Sequence, residues 1–168
     1  MAPQIKTERL VLRPYLEADR EPLADILGRW EVACWLSRVP HPFGPDDVHL
    51  TAEDGSSRWP DTMAITCADH LIGAVSTQDH VGYFLHPDHW GQGIATEAAR
   101  AAVQHAFETT DVASLASGVF HGNDASFRVL DKLGFEKTSE NHHFCRARGQ
   151  DMPHSDLTLT RKRWEGRV

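Results

Sequence analysis

Two glycines, Gly91 and Gly93, stand at the mouth of an alanine-rich stretch, and their placement suits the binding of an anion. The segment reads Trp90-Gly91-Gln92-Gly93-Ile94-Ala95-Thr96-Glu97-Ala98-Ala99-Arg100. Glu97, Arg100, Gln104 and Glu108 recur at helical spacing and predict one polar stripe. Ile94, Ala98, Ala101 and Ala102, with Ala95, Ala99 and Ala106 beside them, predict the opposite, buried side. Side chains that small let a helix lie close to a sheet. The first helical turn leaves its N–H groups unpaired and carries the positive end of the helix dipole, and glycine admits a ligand to the backbone. The preceding run, Val81-Gly82-Tyr83-Phe84-Leu85, reads as a short strand ended by Pro87. Strand, glycine loop and helix together predict a phosphate-bearing cofactor.

Several loops of that kind exist. A Walker loop is excluded, because no Gly-Lys-Ser/Thr follows the first glycine at the required distance. A dinucleotide fingerprint would use Gly91 and Gly93 as its first pair. It then meets Thr96 in place of glycine or alanine, and His86-Pro87-Asp88-His89 between strand and glycines. A ligand-free strand-to-helix turn is the plainest reading, since glycine is a general turn residue. The flanking residues distinguish these readings.

Leu85-His86-Pro87, followed two residues on by Trp90-Gly91-Gln92-Gly93-Ile94-Ala95-Thr96-Glu97-Ala98, resembles the acyl-coenzyme A pyrophosphate loop of the GNAT superfamily of N-acetyltransferases. Tryptophan opening the loop is similar to the branch containing the ribosomal-protein N-terminal acetyltransferases. Two further segments resemble that branch: Thr7-Glu8-Arg9-Leu10-Val11-Leu12-Arg13-Pro14, and Asn123-Asp124-Ala125-Ser126-Phe127-Arg128-Val129-Leu130-Asp131-Lys132-Leu133-Gly134-Phe135. Three segments in the family's order are more specific than any one.

The resemblance implies a cytoplasmic enzyme that transfers acetyl from acetyl-CoA to a primary amine by direct attack in a ternary complex. The acceptor would be a protein N-terminus or a small amine. Its implied cofactor-binding residues are Phe84, Leu85, Trp90, Gly91, Gln92, Gly93, Ile94, Ala95, Thr96, Asn123 and Ser126. A backbone N–H near Leu85 would meet the charge that develops on the thioester oxygen. Many members place a tyrosine after the asparagine as proton donor, yet Phe127 and Leu130 carry no proton there. The ribosomal-protein branch instead favours the serine three residues on, here Ser126, whose plainer role is a first-turn hydroxyl. Asn123 is also an ordinary helix cap. For the base, Asp79 and His80 precede the strand where relatives often carry glutamate, and a water chain is the alternative. The rival from another class is a non-catalytic acyl-CoA-binding or sensing domain, which would keep the loop and lack proton-transfer groups.

The elements that must position these residues follow from pattern. Residues 5–14 read as a strand, 17–27 and 30–36 as helices, and 46–52 as a further short helix after the break at Pro40 to Pro45. Residues 30–60 form the expected substrate-side wall or, more blandly, a surface excursion. Residues 62–68 and 71–77 read as a hairpin and 81–85 as a strand. The chain continues with a helix over 93–108, a strand over 115–120, a helix over 123–133 and strands starting at 135 and 156. The order is that of a GNAT fold: α/β (mixed α+β), with a mostly antiparallel central sheet of about six to seven strands and helices on both faces.

The chain of 168 residues, 40% of them apolar, is expected to form a single domain over 1–168. No apolar run is long enough to span a bilayer, and the net charge of −7 argues against general attraction to nucleic acid. Three scattered cysteines without a paired motif fit reduced thiols. The eleven histidines cluster only at His86/His89 and at His142/His143 beside Cys145, without the ligand spacing of a structural zinc site, so no metal is expected. Arg146 and Arg148 either face an acidic ligand, such as the cofactor's 3′-phosphate, or lie in solvent. A monomer and a homodimer both remain open.

Overall fold

The computed structural model describes residues 4–51, 58, 62–78 and 80–167. The first expected strand folds back on itself into β1 (Ile5–Lys6) and β2 (Val11–Arg13). Thr7 makes the turn: its N–H donates to the Leu10 carbonyl at 2.9 Å, and its Oγ1 accepts from the Leu10 N–H at 3.0 Å. Five strands then pair antiparallel in the order β1-β2-β3-β4-β5, with β3 Thr62–Cys67, β4 His70–Ser76 and β5 Gly82–Leu85. A second sheet of three carries β6 (Ser114–Phe120), β7 (Glu136–Cys145) and β8 (Gln150–Thr160), with β8 in the middle. A parallel bridge between Val81 and Ser117 joins the two.

α1 (Arg20–Leu27) keeps Pro22 in its first turn, where no intrahelical N–H is lost. α2 covers only Trp30–Ala33, shorter than expected. A single 3-10 turn at Pro45–Asp47 replaces the helix expected over 46–52, of which residue 52 lies outside the described residues. α3 (Ile94–Thr109) and α4 (Asp124–Leu133) follow the expected pattern, and Gly134 closes α4. The short α5 (Arg161–Glu165) was not expected. It is capped by the Thr160 hydroxyl and buries Trp164 against Phe107.

The last hairpin departs furthest from expectation. Residues 141–151, read as a connection, continue the ladder of β7 and β8 out to Cys145 opposite Gln150. Of β7 only Cys145 is buried. With both faces of that strand largely polar, hydrophobic alternation has nothing to report. The hairpin tip instead rests on the chain after α2, through Arg146 N–H to the Ser37 carbonyl at 3.1 Å and Arg148 Nε to the Cys34 carbonyl at 2.9 Å.

α3 holds the two sheets together. Its Ile94, Ala98 and Ala102 pack on the first sheet with Leu12, Ile65 and Val75. Ala99, Val103, Ala106 and Phe107 pack on the second with Leu115, Leu157 and Leu159 and with Leu130 and Leu133 of α4. Small residues on one helix thus serve two cores, and each Ala-to-sheet contact keeps the helix axis close to both.

Candidate active site

Val81 is tied to β6 twice, by its N–H to the Ala116 carbonyl at 2.7 Å and by its carbonyl, which accepts from Ser117 Oγ at 2.7 Å. Among the described residues β5 and β6 meet only there. Both strands then run forward without pairing to each other, so 82–85 and 118–120 border a gap between the sheets. α3 follows β5 along the chain, and α4 follows β6.

The His86 N–H donates to the Ile72 carbonyl at 2.7 Å and therefore faces β4. Backbone polar groups alternate in direction along a strand, so those of Tyr83 and Leu85 face the gap. The Leu85 carbonyl is taken by the indole Nε1 of Trp90 at 3.0 Å. That leaves the Leu85 N–H aimed at the gap, where the resemblance implies a donor for the thioester oxygen. Trp90 thus latches the glycine loop to the end of β5. Phe84 points the other way and packs beside α1.

Gly91 and Gly93 adopt φ of 70° and 76°, which side chains disfavour. The first helical bond of α3 runs from Glu97 N–H to the Gly93 carbonyl at 3.1 Å. The N–H groups of Ile94, Ala95 and Thr96 therefore point out of the helix end, and Gly93 has no side chain to cap them. Gln92 turns back, its Nε2 donating to the Asp88 carbonyl at 2.9 Å. The cradle is thus made of backbone, as phosphate sites at helix starts commonly are.

The turn between β1 and β2 holds that cradle in place. Arg9 pairs with Glu97 at 2.7 Å and donates from Nη1 to the Gln92 carbonyl at 2.8 Å. The other Glu97 oxygen accepts from the Thr7 hydroxyl and from the Arg9 N–H at 2.9 Å. Burial pushes the Glu97 carboxyl up, but these donors outweigh it and hold it below the usual carboxylate range. Glu97 therefore leaves the solvent stripe predicted for it; Arg100, Gln104 and Glu108 remain exposed.

After β6, the Asn123 side chain caps α4, accepting from the Ser126 N–H at 3.3 Å. The Ser126 hydroxyl lies 2.9 Å from the phenol oxygen of Tyr83, which is also 3.2 Å from the Ser126 carbonyl. Burial pushes the Tyr83 phenol up to about 12, with the Ser126 bond pulling it back. It therefore keeps its proton at any ordinary pH. Tyr83 went unassigned in the sequence reading, which sought a tyrosine on α4. The available signal was alternation: Val81, Tyr83 and Leu85 share one face of β5, the face turned toward α3 and α4.

The other candidates separate. His80 is exposed beside the bridge, and Asp79 lies outside the described residues. Arg148 is half-buried, its guanidinium 4.9 Å from the Trp35 ring and 5.9 Å from that of Trp30. Arg146 Nη1 reaches the Arg38 carbonyl at 3.4 Å. Of the expected substrate-side wall, residues 52–57 and 59–60 lie outside the described part. Its described portion does border the second sheet, with the Trp35 ring against Gly122. No helix among the described residues is long and apolar enough to cross a membrane.

Known proteins resemble this chain in sequence and in fold. An uncharacterized N-acetyltransferase of Bacillus subtilis, YoaA, is 27% identical over 150 residues, covering 82% of this chain and 85% of its own. In structure, the RimJ protein of Mycobacterium smegmatis, solved with CoA-disulfide, aligns with a TM-score of 0.80 at 17% identity, over 96% of this chain and 88% of that one. The ribosomal-protein-S5-alanine acetyltransferase of Vibrio fischeri aligns with a TM-score of 0.76 at 19% identity, over 96% and 98%. These two likenesses establish the fold. The acetyltransferase (GNAT) domain matches residues 9–136, from the arginine that clamps the glycine loop to the start of β7. The chain belongs to the GNAT acetyltransferases, acyl-transfer enzymes that use acetyl-CoA.

Proposed function

We propose that the chain acts as one domain over residues 1–168 and moves acetyl from acetyl-CoA directly to a primary amine, on a peptide N-terminus or a small molecule. The pyrophosphate rests on the N–H groups of residues 93–96, and the pantetheine arm runs into the gap between β5 and β6. The thioester oxygen takes the Leu85 N–H, whose fixed direction favours the charge of the tetrahedral intermediate. When that intermediate collapses, Ser126 gives its proton to the departing thiolate, and the protonated Tyr83 phenol beside it then turns its hydrogen to the serine oxygen.

The observation that carries this reading is the 2.9 Å contact between Tyr83 and Ser126 beside the gap. A domain that only bound acyl-CoA would have no use for two coupled hydroxyls there. Acetyl-CoA should raise the melting temperature by roughly 5–10 °C at one hundred times its Kd, a gain of about 2.7 kcal/mol; NAD should not. Thiol release should then appear with some member of a panel of peptide N-termini, polyamines and aminoglycosides. Stabilisation by coenzyme A without thiol release from any amine would favour the binding domain instead.

A further inference from the structure

The face of the second sheet turned away from α3 and α4 carries a chain of polar side chains that the scheme above does not use. Leu157 and Leu159 point into the core beneath the helices. By strand alternation His154 and Asp156 point to the opposite face. Opposite them on β7 stand Asn141 and Ser139. The Asp156 carboxylate, which can only accept, takes hydrogen bonds from Ser139 Oγ at 2.7 Å and Asn141 Nδ2 at 2.6 Å. This fixes which way the Asn141 amide faces. Its Oδ1 therefore meets His154 Nδ1, at 3.1 Å, and an amide oxygen cannot donate. His154 must carry its proton on Nδ1, with Asp156 Oδ1 at 3.4 Å, and its lone pair on Nε2.

That nitrogen lies at the gap. The Cε1–Nε2 edge of His154 covers Gly118, and a Cβ there would come within 2.5 Å of it. Gly118 is the first residue of β6 beyond the Ser117 bridge, the point where β5 and β6 part. Only glycine lets the ring lie so close to that apex. Tyr83 reaches Ser126 on the helix side of the sheets, so the apex has hydroxyls on one face and an imidazole lone pair on the other.

We propose that His154 is the general base of the transfer, taking a proton on Nε2 from the acceptor's ammonium group as it approaches from the face opposite Ser126. The inference rests on the acetyltransferase reading above. The freed amine nitrogen bonds to the thioester carbon, the C–S bond breaks as the tetrahedral intermediate collapses, and the thiolate takes the Ser126 proton. Of the two protons the ammonium group loses, one makes good the thiol's and one leaves to solvent through His154. Asn141 and Asp156 are positioning residues, and Asp156 steadies the imidazolium.

Burial and the charge of His143, stacked at 4.1 Å between centroids, hold the His154 imidazole below its ordinary range; Asp156 pulls it up, and His80 and His121 push it down. His154 is thus neutral and ready at neutral pH. His143, His154 and Asp156 also bring donor atoms within 4.8 Å of one another. Stacked rings, however, direct their lone pairs along near-parallel planes, with 17° between them, and do not converge on an ion.

The test follows kcat/KM against pH, from 5 to 9.5, with the best amine found above. His154→Gln should lower it about 10²-fold or more near pH 7, and the deficit should shrink toward pH 9.5 as the amine loses its proton unaided. Melting temperature and stabilisation by acetyl-CoA should persist, which separates failure here from failure of the cofactor reading. His143→Phe removes an exposed ring's charge and should move the parent's acid limb to higher pH. A deficit equal at every pH, an acid limb unmoved by His143→Phe, or activity lost to EDTA and restored by zinc would each overturn the assignment.

Discussion

At the scale of single residues, the Tyr83–Ser126 pair sets the sharpest expectation. A general acid typically contributes about 10²–10⁴-fold, so Ser126→Ala should lower single-turnover acetyl transfer by at least that lower figure. Tyr83→Phe leaves Ser126 its own proton and should cost less, about tenfold. The double variant should be no slower than Ser126→Ala alone, because groups acting as a unit are not additive. Rapid-quench measurement on the three variants decides it. Two single losses that simply add in the double variant, or parent-like transfer by Ser126→Ala, would return the serine to a first-turn hydroxyl. Ser126 was legible because its spacing from Asn123 survives without any knowledge of the fold. Tyr83 was not, since its partner lies forty-three positions away on another element. His154 was hidden more deeply: it falls between the connection expected over 141–151 and the strand expected from 156, so neither its ladder nor its face could be assigned.

At the scale of elements, the glycine loop is a helix start clamped from outside. The Thr7-Glu8-Arg9-Leu10 segment reads in sequence as the middle of a strand. Folded, it is the turn whose Arg9 and Thr7 grip Glu97 and Gln92. No pattern confined to one element shows a clamp between two, and periodicity alone puts Glu97 in water. The helix, the two glycines and the strand before them were all legible, because each is a local choice of residue. Gly93→Val tests the loop as an element. A Cβ at Gly93 meets nothing nearer than Arg9 Nη2, at 3.6 Å, so crowding is not the cost. The left-handed backbone is, at about 1–3 kcal/mol for a branched residue. We expect the melting temperature to fall modestly and acetyl-CoA affinity to fall more than tenfold, as the 93–96 N–H groups turn away. Calorimetric titration beside thermal melts separates the two, and unchanged affinity would reduce Gly93 to a turn residue.

At the scale of the whole molecule, the seam between the two sheets is held by α3 behind and by the Val81 bridge in front, and Tyr83 packs against both cores at once. That placement ties stability to alkaline pH. The chain has two tyrosines, and both are held in their neutral form: Tyr15 by burial and then by Asp19, Tyr83 by burial against the opposing Ser126 bond. Each folded pKa lies above the unfolded value of about 10. Such a group contributes stability that is complete below pH 10 and is lost as pH climbs through its folded value, about 12 for Tyr83. Between those limits the native form binds more protons than the unfolded chain. Each phenol then steepens the fall by up to about 1.4 kcal/mol per pH unit. Lysines titrate in the same window but are common to parent and variant, so the comparison isolates the phenol. Tyr83→Phe should start from a similar stability at pH 8 and fall less steeply from pH 10 to 12, as read from urea midpoints at half-unit steps. Parallel curves for parent and variant would mean that the Tyr83 hydroxyl is freely solvated, and a solvated hydroxyl could not serve Ser126 as its hydrogen-bond donor.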